Sequence, residues 1–430
     1  MSNPTIVIPG YIGSKLADPV HGTLVWLDVH GILNPDTTLE ALRLDIGDPD
    51  RVVPIGILDE VTVLPPLWDP GVYNALTNFL RGNLRLRVFE FYYDWRKSVE
   101  EAADRLNDQV LRWLQETGER QVDLIAHSFG GLVARAYLTK YQAADQVGRL
   151  ITLGTPHKGA VEALQSVTQG YRLLTFSAAK VKQVTRTFPS VYEVVPNDAA
   201  DSMFKAGGQD ASPMRMTAWC ETPAMTSAIT DAAATVARLL PADLPVETWM
   251  ITGTRVDTMS SASFDNGRMT LVETDRGDGT VPEVSARGQG LTGDRVFRFT
   301  VPLTPHLSLF GADAVQQRIL TPILLGRPVP EIQLFSRFES QPLFVPRTVN
   351  LFAAAVFRTD GTPIPDADVR LSIAGTTVQN RPVPITDHGD FALRVPMPGP
   401  GGGHPWTVTA KIPGIDPPLT DRGLLVPTER

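Results

Sequence analysis

The sequence predicts an α/β domain with a mostly parallel, doubly wound sheet, followed by a smaller all-β domain. Up to about residue 325, short apolar runs that are typical of buried strands alternate with helical patterns. Such alternation predicts a parallel sheet that is covered by helices on both faces. Beyond residue 330, apolar and polar residues alternate with a period of two, and turn residues separate the runs. This second pattern is typical of an antiparallel sandwich.

The first domain is predicted over residues 1–328. Its strands are expected at 5–8, 86–91, 122–126, 150–153, 246–252 and 296–301, and its helices at 71–81, 99–116, 130–141 and 312–320. In a sheet of this kind, the catalytic loops lie at the carboxyl ends of the strands. Between about residues 160 and 244 the alternation breaks for a stretch that is too long to be a loop. We interpret this stretch as an inserted cap or lid, with one helix at 232–240.

The second domain is predicted over residues 333–430. Near Gly326–Pro330 the alternation of strand and helix patterns ends, and short runs with a period of two begin after it. Asp-Gly and Gly-Pro-Gly turns separate its expected strands. We expect a small β-sandwich that resembles the immunoglobulin-like modules of many bacterial enzymes. Its role stays open: it could bind a carbohydrate, a surface or a partner, or simply pack against the first domain.

Composition excludes several classes of protein. The chain has 430 residues, of which 43% are hydrophobic and 20% charged, which is ordinary for a folded domain with a large core. Its net charge of −8 and its lack of a basic cluster argue against nucleic-acid partners. Cys220 is the only cysteine, so an intrachain disulfide is excluded.

The sequence also sets expectations about membranes and location. No run of about 20 apolar residues is present, so we expect no transmembrane segment, while peripheral membrane contact stays open. The chain does not open with a signal-peptide pattern. We therefore expect a cytoplasmic location, with leaderless export as the alternative.

The most informative stretch of the chain surrounds Ser128. An apolar run from Val122 ends at this serine, and a helical pattern follows at once. A strand–Ser–helix junction is the nucleophile elbow of α/β-hydrolases, where Ala126 and Gly130 supply the small neighbours that the tight turn needs. The same turn aims the backbone N–H of Phe129 at a developing oxyanion. The alternative is a serine in an ordinary strand-to-helix loop.

A serine nucleophile needs a base, and in this fold the triad follows the chain order Ser, Asp/Glu, His. Three of the seven histidines lie downstream of the candidate acids, namely His306, His388 and His404. The last two belong to the predicted β-domain. His306 follows the strand expected at 296–301, which is where the base must lie to reach the hydroxyl. The alternative is a histidine in a surface loop.

The acid is less constrained, because five aspartates lie between the strand expected at 246–252 and His306, at positions 257, 265, 275, 278 and 294. Asp278 has a glycine on each side, which permits a tight turn that would bury a carboxylate against an imidazole. A plain Asp-Gly turn is the alternative. Asp257 is the main rival, since it follows the strand expected at 246–252.

A second oxyanion donor is expected in a loop after an early strand. Residues 8–13 follow the first strand, and Gly10 would let the backbone approach the substrate there. The N–H of Tyr11 is the candidate donor. The alternative is a simple turn.

Ordered motifs give the chain a family resemblance. Over residues 4–325 it resembles the lecithin:cholesterol acyltransferase family, which includes lysosomal phospholipase A2 and phospholipid:diacylglycerol acyltransferases. The matching blocks are Ile6–Leu16, Trp26-Leu27-Asp28, Tyr92–Arg96, the elbow at 126–130, Leu153–Gly159, and Gly277–Pro282 with Pro305–Leu307. The family's disulfide and signal peptide are missing here, and its members lack the β-domain. Lipoprotein binding and cholesterol as acceptor are therefore not carried over.

The resemblance favours Asp278 over Asp257 and assigns the Tyr11 and Phe129 amides to the oxyanion hole. It also implies that Trp26 lines the acyl or head-group site, with a buried packing role as the alternative. Asp94 and Arg96 are expected to form structural hydrogen bonds near the elbow.

The resulting hypothesis is a serine hydrolase that forms an acyl-enzyme: a lipase, phospholipase or acyltransferase acting on carboxylic esters of lipids. Its triad is Ser128, Asp278 and His306, and it needs no metal or cofactor. One alternative is an esterase or cyclising acyltransferase that acts on a peptide or natural-product ester with the same triad. Another is a catalytically dead binding protein on a hydrolase fold.

Overall fold

The computed structural model describes residues 2–26, 35–45, 49–58, 72–173, 176–338, 349–396 and 403–425. In chain order, the strands are β1 (Thr5–Ile8), β2 (Ser14–Ala17), β3 (Leu24–Trp26), β4 (Val53–Ile57), β5 (Val88–Glu90), β6 (Val122–His127), β7 (Val147–Leu153), β8 (Phe204–Ala206), β9 (Gln209–Asp210), β10 (Glu247–Thr254), β11 (Thr258–Asp265), β12 (Arg268–Thr274), β13 (Val296–Pro302), β14 (Ile332–Phe338), β15 (Val349–Arg358), β16 (Asp368–Ile373), β17 (Arg381–Val383), β18 (Asp390–Pro396), β19 (His404–Ile412) and β20 (Ile415–Leu425). The α-helices are Pro35–Leu42, Val72–Asn78, Val99–Thr117, Phe129–Lys140, Val161–Thr168, Ala178–Thr185, Pro189–Glu193, Pro223–Leu239, Glu283–Ala286, Asp313–Val315 and Thr321–Leu324.

The continuous apolar runs of the first domain form a parallel six-stranded sheet. Its order is β13-β10-β7-β6-β1-β5, and each neighbouring pair is parallel. All six residues of β6 are buried, as expected for a strand with helices on both faces. The predicted α/β-hydrolase fold class is therefore confirmed, and the carboxyl ends of β1, β6 and β7 lie side by side.

Local signals set the ends of the helix Val99–Thr117. Ser98 accepts a hydrogen bond from the N–H of Glu100 at its start, and Gly118 closes it with a left-handed φ of 71°. The helix expected at 312–320 is instead interrupted by a π-turn at Gln316–Leu320. Pro322 stands two residues after this π-turn, and its missing N–H breaks the regular hydrogen-bond ladder there.

The inserted cap extends beyond the predicted limits of about 160 and 244. The β11–β12 hairpin pairs with β8 in a separate sheet of order β12-β11-β8-β9. The cap is therefore built from two chain segments, and the apolar run 269–272 lies in the cap rather than in the central sheet. The predicted limits left this hairpin out, because alternation within a hairpin does not reveal which sheet the hairpin joins.

The C-terminal residues form two antiparallel sheets, of order β14-β15-β18 and β17-β16-β19-β20. Their facing apolar side chains share one core, which includes Phe352, Val356, Leu371 and Val408. The predicted antiparallel β-sheets are therefore present, while the likeness to immunoglobulin modules and the domain boundary at 328–333 stay predictions. A backbone hydrogen bond of 2.9 Å from Arg298 to Thr359 joins β13 to this part of the chain.

The expected structural role of Asp94 and Arg96 is met. Arg96 is fully buried, and its guanidinium lies 2.6 Å from the Asp94 carboxylate while also binding the carbonyls of Leu42 and Val52. This pair ties the segment before the helix Val99–Thr117 to the antiparallel sheet of β2, β3 and β4. Within the described part of the chain, no helix combines the length and the apolar character that crossing a membrane requires.

Candidate active site

Ser128 occupies a strained turn between β6 and the helix Phe129–Lys140. Its φ of 51° and ψ of −127° are unusual for a residue with a side chain. The N–H of Ser128 donates to the Leu153 carbonyl at 2.9 Å, which holds the turn against β7. The sharp turn places Ser128 at the carboxyl edge of the sheet, as an elbow requires.

Asp278 and His306 form a buried pair. Oδ2 of Asp278 lies 2.7 Å from Nδ1 of His306, and Oδ1 accepts the backbone N–H groups of Val281 and Thr280 at 2.8 and 3.1 Å. A carboxylate at Nδ1 orients the imidazole and fixes the tautomer in which Nε2 can accept a proton. The rival Asp257 is exposed and does not enter this group.

The loop after β7 closes over this pair at Gly154. A Cβ on Gly154 would lie 2.8 Å from both Oδ2 of Asp278 and Nδ1 of His306, and its φ of 59° also suits glycine. Only a residue without a side chain allows the loop to pass so close. The sequence signal was the glycine at a strand end, but nothing local showed what it would cover.

The loop after β1 approaches Ser128 in the same way. A Cβ on Gly10 would lie 2.8 Å from Cβ of Ser128, so the backbone of this loop passes next to the nucleophile candidate. Tyr11 and Phe129 both line the cavity into which Ser128 opens. Neither backbone N–H of these two residues donates a hydrogen bond to any residue that the structure describes. Two free amide donors beside the hydroxyl are what an oxyanion hole needs.

Tyr73 supports this loop from behind and was not anticipated from the sequence. Its hydroxyl accepts the N–H of Gly10 at 2.8 Å and lies 2.9 Å from Nδ1 of His127. Burial, and then the neighbouring His306, lower the pKa of His127, so its ring is neutral at pH 7. The rings of His127 and His306 lie 4.6 Å apart, which gives the candidate base an uncharged neighbour.

Ser128 and His306 share a cavity whose empty volume, counted with its mouth, is about 980 Å³. The wall is mainly apolar, formed by residues such as Ile12, Ala163, Leu173, Val191, Val194 and Leu307. In the described ranges, no group of three or more His, Cys, Asp or Glu side chains is arranged as a metal site.

Trp26 does not line this cavity. It is 1% exposed, and its indole Nε1 donates to the Ile12 carbonyl at 2.9 Å. Its ring packs edge-on against Trp95, with ring centroids 5.4 Å apart. Trp26 therefore braces the loop that carries Tyr11, and it lines a smaller cavity together with Tyr11 and Ile12. Its expected contact with an acyl chain or head group stays a prediction. Leu27 and Asp28 of the same motif lie outside the described residues.

Glu162 is an ionisable cavity residue that no sequence pattern singled out. Burial raises the pKa of its carboxyl, the nearby His306 lowers it and Asp278 raises it, and together they bring this pKa to about 7. The cavity therefore carries a group that titrates near neutral pH a short distance from the candidate base.

We expect Glu162→Gln to stabilise the protein at pH 8 and to have little effect at pH 4. The raised pKa means that the folded state holds this proton more tightly, so stability is lost as pH rises from 4.5 toward 7. The amide avoids that loss, which amounts to at most about 3 kcal/mol. Urea unfolding at both pH values measures the effect, with the exposed Glu116→Gln as a control. An equal change in the free energy of unfolding at pH 4 and pH 8 would contradict the raised pKa of Glu162.

These features define the class of protein: an α/β-hydrolase with an elbow serine, a buried Asp–His pair and an apolar cavity. The family model for lecithin:cholesterol acyltransferase matches residues 73–232. The resemblance predicted from the motifs is therefore confirmed over this segment, which contains the elbow and most of the first cap segment.

Curated relatives are distant. They include an uncharacterised protein of Saccharomyces cerevisiae, 28% identical over 36% of this chain and 23% of its own length. Two relatives are from Arabidopsis thaliana. Lecithin-cholesterol acyltransferase-like 4 is 23% identical over 45% of this chain and 43% of its own length. Phospholipase A(1) LCAT3 is 25% identical over 39% of this chain and 38% of its own length. The matches thus span less than half the length of these relatives.

Among solved structures, the mature lipase BlEst2 of Bacillus licheniformis is similar to this chain with 15% identity and a TM-score of 0.37. The match covers 75% of this chain and 92% of that lipase.

Proposed function

We propose that this chain is a serine hydrolase or acyltransferase that acts on carboxylic esters of lipids through an acyl-Ser128 intermediate. One observation carries the proposal. His306, paired with Asp278, lines the cavity into which the strained Ser128 opens, and the amides of Tyr11 and Phe129 there donate to no residue that the structure describes.

The chemistry follows from these positions. Nε2 of His306 takes the Ser128 proton as Oγ attacks the ester carbonyl. The carbonyl oxygen becomes an oxyanion and accepts the N–H groups of Tyr11 and Phe129, while Asp278 stabilises the imidazolium. When the tetrahedral intermediate collapses, the imidazolium protonates the departing alcohol. His306 then deprotonates an incoming water or alcohol, which releases the acyl group and restores the serine.

The apolar cavity wall supports an acyl chain of appreciable length, because each buried methylene contributes about 0.8 kcal/mol of binding. The match to the lecithin:cholesterol acyltransferase model and the similarity to a phospholipase A(1) support a lipid ester as donor. We propose water as the usual acceptor, because it is always present and because hydrolysis needs no acceptor site.

Fluorophosphonate labelling and a series of p-nitrophenyl esters test the proposal. A fluorophosphonate should modify Ser128, and kcat/KM should rise from acetyl to octanoyl esters by about tenfold or more, because added methylenes bury apolar surface. A phospholipid should also be cleaved.

Each rival function predicts a different result. A chain that leaves Ser128 unlabelled would be the dead binding protein instead. Activity restricted to acetyl esters would contradict a lipid substrate. Preferred acyl transfer to an added amine would favour the cyclising acyltransferase.

A further inference from the structure

The loop that carries Asp278 is held by a carboxylate from the C-terminal sheets. Asp390, at the start of β18, is fully buried. Its carboxylate receives the guanidinium of Arg276 at 2.9 and 3.0 Å and that of Arg255 at 2.9 Å. Arg276 stands two residues before Asp278, so the contact acts on the same tight turn.

Arg255 links the same carboxylate to the other side of the turn. It directly follows β10 with a φ of 65°, an unusual conformation for a residue with a side chain. Its guanidinium also lies 2.7 Å from Asp275. The next residue, Val256, pairs with Asp278 in a short bridge, and Val256 N–H donates to Gly277 at 3.1 Å. Asp390 therefore holds the two backbone segments, one at residues 255–256 and one at 276–278, that position the Asp278 carboxylate.

A second contact reaches the loop that carries His306. Nη1 of Arg337, on β14, donates to Oγ1 of Thr304 at 2.9 Å. Thr304 is itself buried and stands two residues before His306. The strands β14 and β18 both pair with β15, so one sheet supplies both contacts.

We propose that the C-terminal sheet β14-β15-β18 is part of the catalytic apparatus, with Asp390 and Arg337 as positioning residues for Asp278 and His306. The inference rests on the proposed triad. It gives the C-terminal domain a role in the reaction itself, through the geometry of the 2.7 Å hydrogen bond between Asp278 and His306.

The physical argument is one of rigidity. A hydrogen-bonded acid and base must hold their geometry closely, and a misplacement of about 1 Å can cost roughly 100-fold in rate. A buried carboxylate with two guanidinium partners is strongly oriented by charge-assisted hydrogen bonds. Without its charge, Arg255 keeps only Asp275 as a carboxylate partner and Arg276 keeps only Glu283, so the turn at 275–283 is held less firmly to the C-terminal sheet.

Asp390→Asn in the full-length protein tests the inference. We expect kcat to fall roughly 10- to 100-fold and KM to change much less, because most of the cavity wall lies outside the turn at 275–283. The far-downfield proton resonance of the Asp278–His306 hydrogen bond should broaden or disappear. Asp390→Glu keeps the charge, so it should recover part of the kcat and part of the downfield proton resonance.

Asp368→Asn is the control. Asp368 lies on β16, in the other C-terminal sheet, and its carboxylate pairs with Arg370 at 2.9 Å, so it contacts neither triad loop. Breaking an exposed pair of this kind costs little, so kcat should stay within about twofold of the parent protein. Arg337→Gln tests the second contact without opening the Asp390 cluster, and we expect a fall in kcat of about three- to tenfold.

The outcomes are separable. If Asp390→Asn does not fold, Arg337→Gln decides alone. The inference is overturned if the folded variants keep both the control's kcat and the downfield proton. It is also overturned if Arg337→Gln is fully active when Asp390→Asn does not fold. Failure of the proposed function would appear elsewhere, as a parent protein whose Ser128 resists the fluorophosphonate.

Discussion

Ser128→Ala should lower kcat for ester hydrolysis by about 10⁴- to 10⁶-fold, the range expected when the nucleophile of a serine triad is removed. The loss is large because no other described hydroxyl combines the elbow turn, the adjacent free amides and a place beside His306. The free energy of unfolding should change by less than about 1 kcal/mol, because alanine can occupy the same strained backbone and only the hydroxyl oxygen is removed.

Steady-state kinetics on a p-nitrophenyl ester and urea unfolding measure the two quantities. Ser212→Ala is the matched control, since Ser212 is equally buried but lies outside the cavity. Its kcat should match that of the parent protein. Substantial ester hydrolysis by the folded Ser128→Ala variant would show that another group attacks the carbonyl.

Asp278→Asn should lower kcat by about 10³- to 10⁴-fold, because the amide no longer stabilises the imidazolium and permits the wrong tautomer of His306. The carboxylate is 1% exposed, accepts two backbone amides and contacts Nδ1 directly, so water cannot replace it. KM should change much less than kcat, since Asp278 does not line the cavity.

The matched control is Asp257→Asn, the same substitution at the rival position. Asp257 is exposed and makes no contact with His306, so its kcat should remain within about twofold of the parent value. Thermal unfolding of both variants separates catalytic loss from unfolding. The roles would be reversed if Asp257→Asn were the inactive variant.

Several features could be predicted because their causes are local. A continuous branched run makes β6, and the small residues beside Ser128 allow the turn that follows. Chain order then pointed to His306, and flanking glycines favoured Asp278 over Asp257. Apart from the chain order of the triad, these patterns span about a dozen residues or fewer, which is the range over which periodicity and turn chemistry act.

Other features could not be predicted because they join distant segments. Tyr73 reaches Gly10 and His127 across 63 and 54 positions. Trp26 braces the Tyr11 loop instead of lining the cavity, and the β11–β12 hairpin joins the cap. In each case the sequence specified a buried or paired residue but not its partner, since a hydrophobic or polar pattern does not encode which distant segment packs against it.

By itself, the sequence determined the class of fold, the elbow at Ser128 and the candidates for base and acid. Only the tertiary structure decided that Asp278 lies 2.7 Å from His306, that Glu162 titrates inside the cavity, and that Asp390 holds the acid loop. The physical reason is the range of the forces involved. Backbone preferences and periodic burial act between neighbours along the chain, whereas ion pairs, desolvation and close packing depend on which segments folding brings together.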